Sequence, residues 1–141
     1  MEDRQSLTSV DRLLADARRD LERVPAEHFD QVAASGALVV DVRPEELCSR
    51  HGALDGAVVI GLNVLEWRLA PDSPDRLFDV DPDRVVVLVC QQGFSSSLAA
   101  HRLQQVGLPR ATDLIGGFAA LRAFRSATAP GTAPRIGPQP T

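Results

Sequence analysis

One side chain in this sequence stands where a nucleophile is useful. Cys90 opens the segment Cys90-Gln91-Gln92-Gly93-Phe94-Ser95-Ser96, directly after the apolar run Val85-Val86-Val87-Leu88-Val89 and directly before a helical pattern that starts near Ser95 or Ser96. A short loop wound around a sulfur atom points backbone N–H groups inward, and the unpaired amides of a helix's first turn add partial positive charge. Both favour the thiolate, which is the nucleophilic form of cysteine. Gly93 gives the loop backbone freedom for positive φ. Ser95 and Ser96 can cap the helix or donate hydroxyl hydrogen bonds toward the sulfur. Cys90 is therefore the candidate catalytic residue, and Gln91, Gln92, Gly93, Phe94, Ser95 and Ser96 form the candidate substrate-binding loop.

The elements that must position this loop are legible in the apolar pattern. Leu38-Val39-Val40, Ala57-Val58-Val59-Ile60 and Val85 to Val89 are short, continuous and rich in β-branched residues, the signature of strands buried on both faces. A further short strand is expected over Thr112 to Ile115, and a short edge strand over Leu21 to Val24. Helical stretches separate them: Glu45 to Ser49, Leu62 to Leu69, Ser95 to Val106 closed by Gly107, and Phe118 to about Ala127. Val10, Leu13, Leu14, Ala17 and Leu21 share one face of an N-terminal helix, with Ser9 as its cap. A second helix opens at Pro25 and ends at Ser35-Gly36. Strands alternating with helices predict a three-layer α/β domain, a central parallel sheet of about five strands with helices on both faces. Residues 1–20 read as a helical extension, 21–127 as the domain, and 128–141 as a disordered tail with four prolines and two glycines from Ala129 onward. Ala70 to Arg84, with three prolines among five Asp residues, is expected to be a surface loop.

Composition narrows the chemistry. The chain has 141 residues and a formal net charge of −4, so nothing draws it as a whole to nucleic acid or an anionic membrane. All 15 basic residues are Arg, which suggests a bacterial, high-G+C source. The lack of Lys removes Schiff-base chemistry and the phosphate loop that ends in Gly-Lys. No apolar stretch approaches membrane-spanning length, the N-terminus lacks a secretion pattern, and a cytoplasmic location is expected. Cys48 and Cys90 stand apart without ligand companions, so no metal and no cofactor are expected. Cys48 reads as inert packing, and His28 and His101 as ordinary surface or boundary residues. In Asn63 to Arg68, Val64, Leu65 and Trp67 are expected to be partly buried.

Four segments in order resemble one family, the rhodanese-like domains. Cys90 with its five-residue loop and Ser-initiated helix resembles that family's active-site loop. Leu38-Val39-Val40-Asp41-Val42-Arg43-Pro44-Glu45-Glu46 is similar to its Asp-Val-Arg segment, Gly56-Ala57-Val58-Val59-Ile60 to its Gly-Ala strand, and Leu114-Ile115-Gly116-Gly117-Phe118-Ala119-Ala120-Leu121 to its Gly-Gly closing element. The match runs from about Val24 to Phe124. The resemblance implies sulfur transfer: a Cys90 thiolate takes sulfane sulfur from a small donor, thiosulfate or a persulfide, and passes it from a Cys90 persulfide to a thiol or cyanide, with a protein acceptor left open. Asp41 and Arg43 are supporting residues, expected to satisfy loop amides or to form an ion pair that holds the loop's shape.

The departures are chemical. Family members that use thiosulfate commonly carry Arg or Lys after the Cys and Arg at the fifth loop position, whereas this loop has Gln91 and Ser95. A dianion must then be met by amides or by an Arg from elsewhere, with Arg43 and Arg68 as candidates. His51 is two residues out of register with the family's His, so no role is carried onto it, and Leu121 replaces the usual Trp. Two other readings stay open. A phosphatase or arsenate reductase would need Arg at position 96, where Ser96 stands. A catalytically weak binding or redox-sensing module would keep the fold and the thiol without turnover.

Overall fold

A computed structural model describes residues 7–128. The expected disorder of the tail from Ala129 lies outside the described residues. In chain order the elements are α1 (Ser9–Arg18), α2 (Ala26–Ala34), β1 (Leu38–Asp41), α3 (Glu45–His51), β2 (Val58–Val59), a 3-10 turn (Leu62–Val64), α4 (Leu65–Leu69), β3 (Val86–Val89), α5 (Ser95–Gln105), β4 (Ala111–Asp113) and α6 (Gly117–Thr128). The four strands form one parallel sheet in the order β2-β1-β3-β4. The expected fifth strand, Leu21 to Val24, is reduced to a single bridge between Val24 and Leu114.

Side chains alternate across the sheet and divide the core in two. On one face Leu38, Val40, Val86 and Leu88 pack with Leu65 and Leu69 of α4 and with Ala99, Ala100 and Leu103 of α5. On the other, Val39, Val87 and Val89 pack with Phe29 of α2 and with Phe118 and Leu121 of α6. A fully buried leucine contributes roughly 1.5–3 kcal/mol, so these two layers account for why continuous apolar runs become strands here. β1 and β3 are buried at every position. β2 is not: it is an edge strand, Val58 is half-buried, and Val59 is 64% exposed. An apolar run of four residues does not distinguish a central strand from an edge.

Three further expectations change. The cap of α1 is Thr8, one residue before Ser9, in a capping box with Asp11. Of the predicted apolar face, Ala17 and Leu21 are buried, whereas Val10 and Leu13 are exposed because α1 covers the edge of α5 with its C-terminal half. Trp67 is 59% exposed, as α4 is a single turn that turns Leu65 and Leu69 inward and Trp67 outward. Ala70 to Arg84 contains neither helix nor strand, as expected for a loop, though Val80 anchors it in the core. No helix among the described residues is long and apolar enough to cross a membrane.

Candidate active site

β3 is central, and the strands on either side of it each end in an aspartate. Asp41 at the end of β1 lies level with Val89, and Asp113 at the end of β4 lies level with Leu88. Cys90 follows Val89, so it emerges at the carboxyl end of the sheet between two buried carboxylates. This is where ligands bind in open parallel sheets.

The loop from Cys90 to Ser95 is held by its carbonyls from outside. The first-turn amides of α6 donate to it, Phe118 N to Cys90 O at 2.8 Å and Ala119 N to Gln91 O at 3.0 Å. Arg18 Nη2 donates to Gly93 O at 2.8 Å. With these carbonyls satisfied outward, the loop's N–H groups are free to turn toward the sulfur, and Gly93 N donates to Cys90 Sγ at 3.1 Å. Two glycines make this packing achievable. Gly93 has φ +87, and a Cβ there would lie 2.7 Å from Gly116 N; Gly117 has φ +65, and a Cβ there would lie 2.5 Å from Cys90 O. The Gly116-Gly117 element thus serves as the seat of the Cys90 loop.

Ser96 Oγ lies 3.2 Å from Cys90 Sγ and accepts from the thiol. Ser95 and Ser96 do not cap α5: its cap position is Phe94, with no side-chain hydrogen bond. Their hydroxyls act on the sulfur instead. Burial pushes the Cys90 thiol up, but hydrogen bonds from the Ser96 hydroxyl and amide, the Ser95 hydroxyl and the Gly93 amide outweigh it and hold the thiol below its ordinary value. Cys90 is 6% exposed and lines an open pocket of about 350 Å³ with Val42, Arg43, Pro44, Leu47, Leu62, Gln91, Gln92, Phe94 and Ser95. Phe94 stands 57% exposed at the rim. A larger cleft, about 430 Å³, lies by Val85, Arg110 and Thr112, away from Cys90 at the other end of the strands, and has no cysteine among its described lining residues.

Asp41 and Arg43 form a buried ion pair. Arg43 Nε and Nη2 donate to the two Asp41 oxygens at 3.0 and 2.8 Å, and the Arg43 amide donates to Oδ1 at 3.1 Å. The same guanidinium donates to Gly52 O at 2.9 Å and to Gln91 Oε1 at 3.1 Å, and it lies over the Phe118 ring at 4.0 Å. Its hydrogen bonds to Asp41 raise its pKa against the opposing effect of burial. It ties the Cys90 loop to the end of α3. Arg68 is not at the site: its guanidinium donates to Asp75 O in the surface loop. Cys48 is half-buried with Sγ 3.7 Å from Asp41 Oδ2, and burial and the Asp41 charge push its thiol up, which fits an unreactive role. His51 and Arg122 line a separate cleft beyond Gln91 and Gln92.

Sequence reasoning missed four residues. Arg23 pairs with Asp113 at 2.7 Å, Ser97 donates to Asp113 at 2.8 Å, and Arg18 donates to Ser97 at 2.9 Å. No spacing rule connects positions 18, 23, 97 and 113. The one available hint is an ionisable residue, Asp113, in a segment otherwise read as a buried strand.

Strand, cysteine loop, serine-initiated helix and a glycine-pair seat, at the carboxyl edge of a parallel sheet, define a cysteine-loop α/β domain. The family model described as "Rhodanese-like domain" matches residues 24–123, and the chain belongs to that family. It is 31% identical over 99 residues to the thiosulfate sulfurtransferase GlpE of Pseudomonas fluorescens (strain SBW25), covering 70% of this chain and 83% of that protein. The solved structure of RPA3614 from Rhodopseudomonas palustris CGA009, described as a protein of unknown function and "Possible Tyrosine Phosphatase", aligns with a TM-score of 0.71 at 27% identity, over 83% of this chain and 91% of that one. The rhodanese homolog TT1651 of Thermus thermophilus aligns with a TM-score of 0.51 at 28% identity, over 69% of this chain and 96% of that one.

Proposed function

We propose that this chain is a sulfurtransferase that carries sulfane sulfur as a Cys90 persulfide. The observation that supports this best is the polar surround of the sulfur: the Gly93 N–H donates to it at 3.1 Å and the Ser96 hydroxyl, 3.2 Å away, accepts from the thiol, which is held below its ordinary pKa in an open pocket. The Cys90 thiolate attacks the outer sulfur of the donor. One S–S bond forms as the donor's sulfur bond breaks, and the donor's remainder leaves with the electron pair, as sulfite from thiosulfate or as a thiolate from an organic persulfide. The acceptor, a thiolate or cyanide, then takes the terminal sulfur and returns Cys90 as thiolate. Two easy displacements replace one difficult transfer. The inward amides stabilise the anionic terminal sulfur while it waits.

The pocket favours a donor of low charge. Arg43 is the one charged residue among the described residues that line it, and its guanidinium is already engaged by Asp41, Gly52 and Gln91. Val42, Pro44, Leu47, Leu62 and Phe94 offer apolar contact. An organic persulfide gains from these walls, whereas the thiosulfate dianion must surrender its hydration to amides alone. Thiosulfate is named for the Pseudomonas relative, and here it is the poorer donor.

The test is intact-mass spectrometry of wild-type and Cys90→Ser protein after incubation with an alkyl persulfide or with thiosulfate. Wild type should gain one sulfur atom, faster from the persulfide, and the variant none. Equal sulfur loading of both proteins would overturn the mechanism. The phosphatase reading has no clamp, since Ser96 is fully buried and bonded to Asp113 rather than presenting a cation to the pocket. Turnover of an aryl phosphate lost in Cys90→Ser would reinstate it. A low thiol pKa without transfer to any acceptor would favour the sensing module.

A further inference from the structure

Beneath the Cys90 loop, on the side away from the pocket, lies an ionic cluster that the sulfur-transfer scheme does not use. Asp113 is fully buried and accepts four hydrogen bonds, from Arg23 Nε at 2.7 Å and Nη2 at 3.2 Å, from Ser96 Oγ at 2.7 Å and from Ser97 Oγ at 2.8 Å. Arg18 Nε donates to Ser97 Oγ at 2.9 Å, and Arg18 and Arg23 both donate to Gly93 O, at 2.8 and 3.3 Å. Both arginines precede the segment matched by the family model. Arg18 sits at the end of α1, so the N-terminal helix is wired into the active-site loop.

Ser96 is the link between this cluster and the sulfur. Its single hydroxyl proton can serve Asp113 or Cys90, but not both. While Cys90 is a thiol, S–H donates to Ser96 Oγ and Ser96 donates to Asp113, which is the arrangement observed. Once Cys90 is a thiolate, it has no proton to give, and Ser96 must turn its O–H toward the sulfur. Asp113 then keeps Arg23 and Ser97. The carboxylate and the thiolate compete for one proton donor.

Resting on the reading of Cys90 as the reactive thiolate, we propose that Asp113 is a positioning residue whose charge, balanced by Arg23 and Arg18, decides which way the Ser96 hydroxyl points and so how readily Cys90 ionises. Removing the Asp113 charge frees Ser96 for the sulfur and leaves two arginines uncompensated, so the thiolate is favoured. Removing Arg23 does the reverse. Arg18 is part of the same balance: burial and Arg23 lower its pKa, while Asp113 and Cys90 pull it back up. The other charged groups facing the sulfur are Arg43 and its partner Asp41 from the β1 side, which stay constant across the comparison.

The measurement is the pH dependence of Cys90 alkylation by iodoacetamide in the full chain carrying Cys48→Ala, so that one thiol reports. At mildly acidic pH, Asp113→Asn should alkylate up to about tenfold faster and Arg23→Gln up to about tenfold slower, the size expected when a charge is removed a few ångströms from a buried thiol. Opposite signs are the signature, because a merely structural cluster would move both variants the same way. Ser96→Ala should shrink the gap between them. Same-direction shifts, or no shift in either, would overturn the proposal. If Arg23→Gln does not fold, Arg18→Gln, at a half-buried and peripheral position, must still slow alkylation, by a smaller factor, or the proposal fails. Alkylation does not require sulfur transfer, so an absent persulfide would sink the assigned reaction without deciding this one.

Discussion

Two arginine–aspartate pairs flank Cys90, one at the end of each strand beside β3, and they are built for different ends. The Asp41–Arg43 pair is closed. Both side chains are essentially unexposed, the partners are two residues apart, and the spare donors of Arg43 go to Gly52 and Gln91. It fixes the loop's outer wall, and among the described residues no hydroxyl links it by hydrogen bonds to the sulfur. The Arg23–Asp113 pair is open. Arg23 keeps 16% of its side chain in solvent, the partners are 90 residues apart, and Asp113 reaches the sulfur through one rotatable hydroxyl. The first pair supplies shape, and the second is placed to tune the charge of Cys90.

Stability should separate them most sharply. Asp41→Ala leaves the Arg43 cation buried without its carboxylate and should cost about 3–5 kcal/mol by urea denaturation, whereas Arg23→Ala should cost about 2 kcal/mol, since the Asp113 carboxylate it leaves behind keeps its hydrogen bonds from Ser96 and Ser97. Equal losses would break the distinction between a closed and an open pair.

A change in the seat of the loop should disturb both pairs together. Gly117→Ala places a methyl group 2.5 Å from Cys90 O at a φ of +65, so the loop must shift; about 2 kcal/mol of stability and most of the sulfur loading should be lost. A variant that loads sulfur normally would show that the Gly116-Gly117 element does not seat the loop.

The smallest effect is a pH dependence. Folding lowers the Cys90 thiol from an ordinary value of 9.0, so the folded chain holds that proton less tightly than the unfolded chain does. The resulting stability is fully present above 9.0 and is lost as pH falls through the lowered value. Cys48 is raised and acts with the opposite sign, so both proteins compared should carry Cys48→Ala. In that background, the stability advantage over Cys90→Ala should grow as pH rises toward 9.0; a flat difference would mean that the amides and hydroxyls do not favour the thiolate.

How much of this was legible follows from the same contrast. Asp41 and Arg43 stand in one short segment at a strand end, so their pairing could be anticipated from local order, as could the turn at Gly93. Arg23 and Asp113 carry no mark of each other. Likewise, Val58 and Val59 read as buried strand because the run is apolar, but whether another strand covers them depends on sheet order, and β2 is at the edge. The side on which Trp67 lies is hidden for a similar reason: a single turn of helix has too short a period to show which side faces in.

By itself the sequence determined the alternation of strands and helices, the position of Cys90 after the central strand, and the neutrality of its loop, because backbone propensity, apolar periodicity and side-chain identity are local properties. The convergence of Arg18, Arg23, Ser96, Ser97 and Asp113 beneath the sulfur was decided by the tertiary structure alone. It depends on α1 packing against α5 and on β4 lying beside β3, and no run of neighbouring residues encodes which distant charges such packing will bring together.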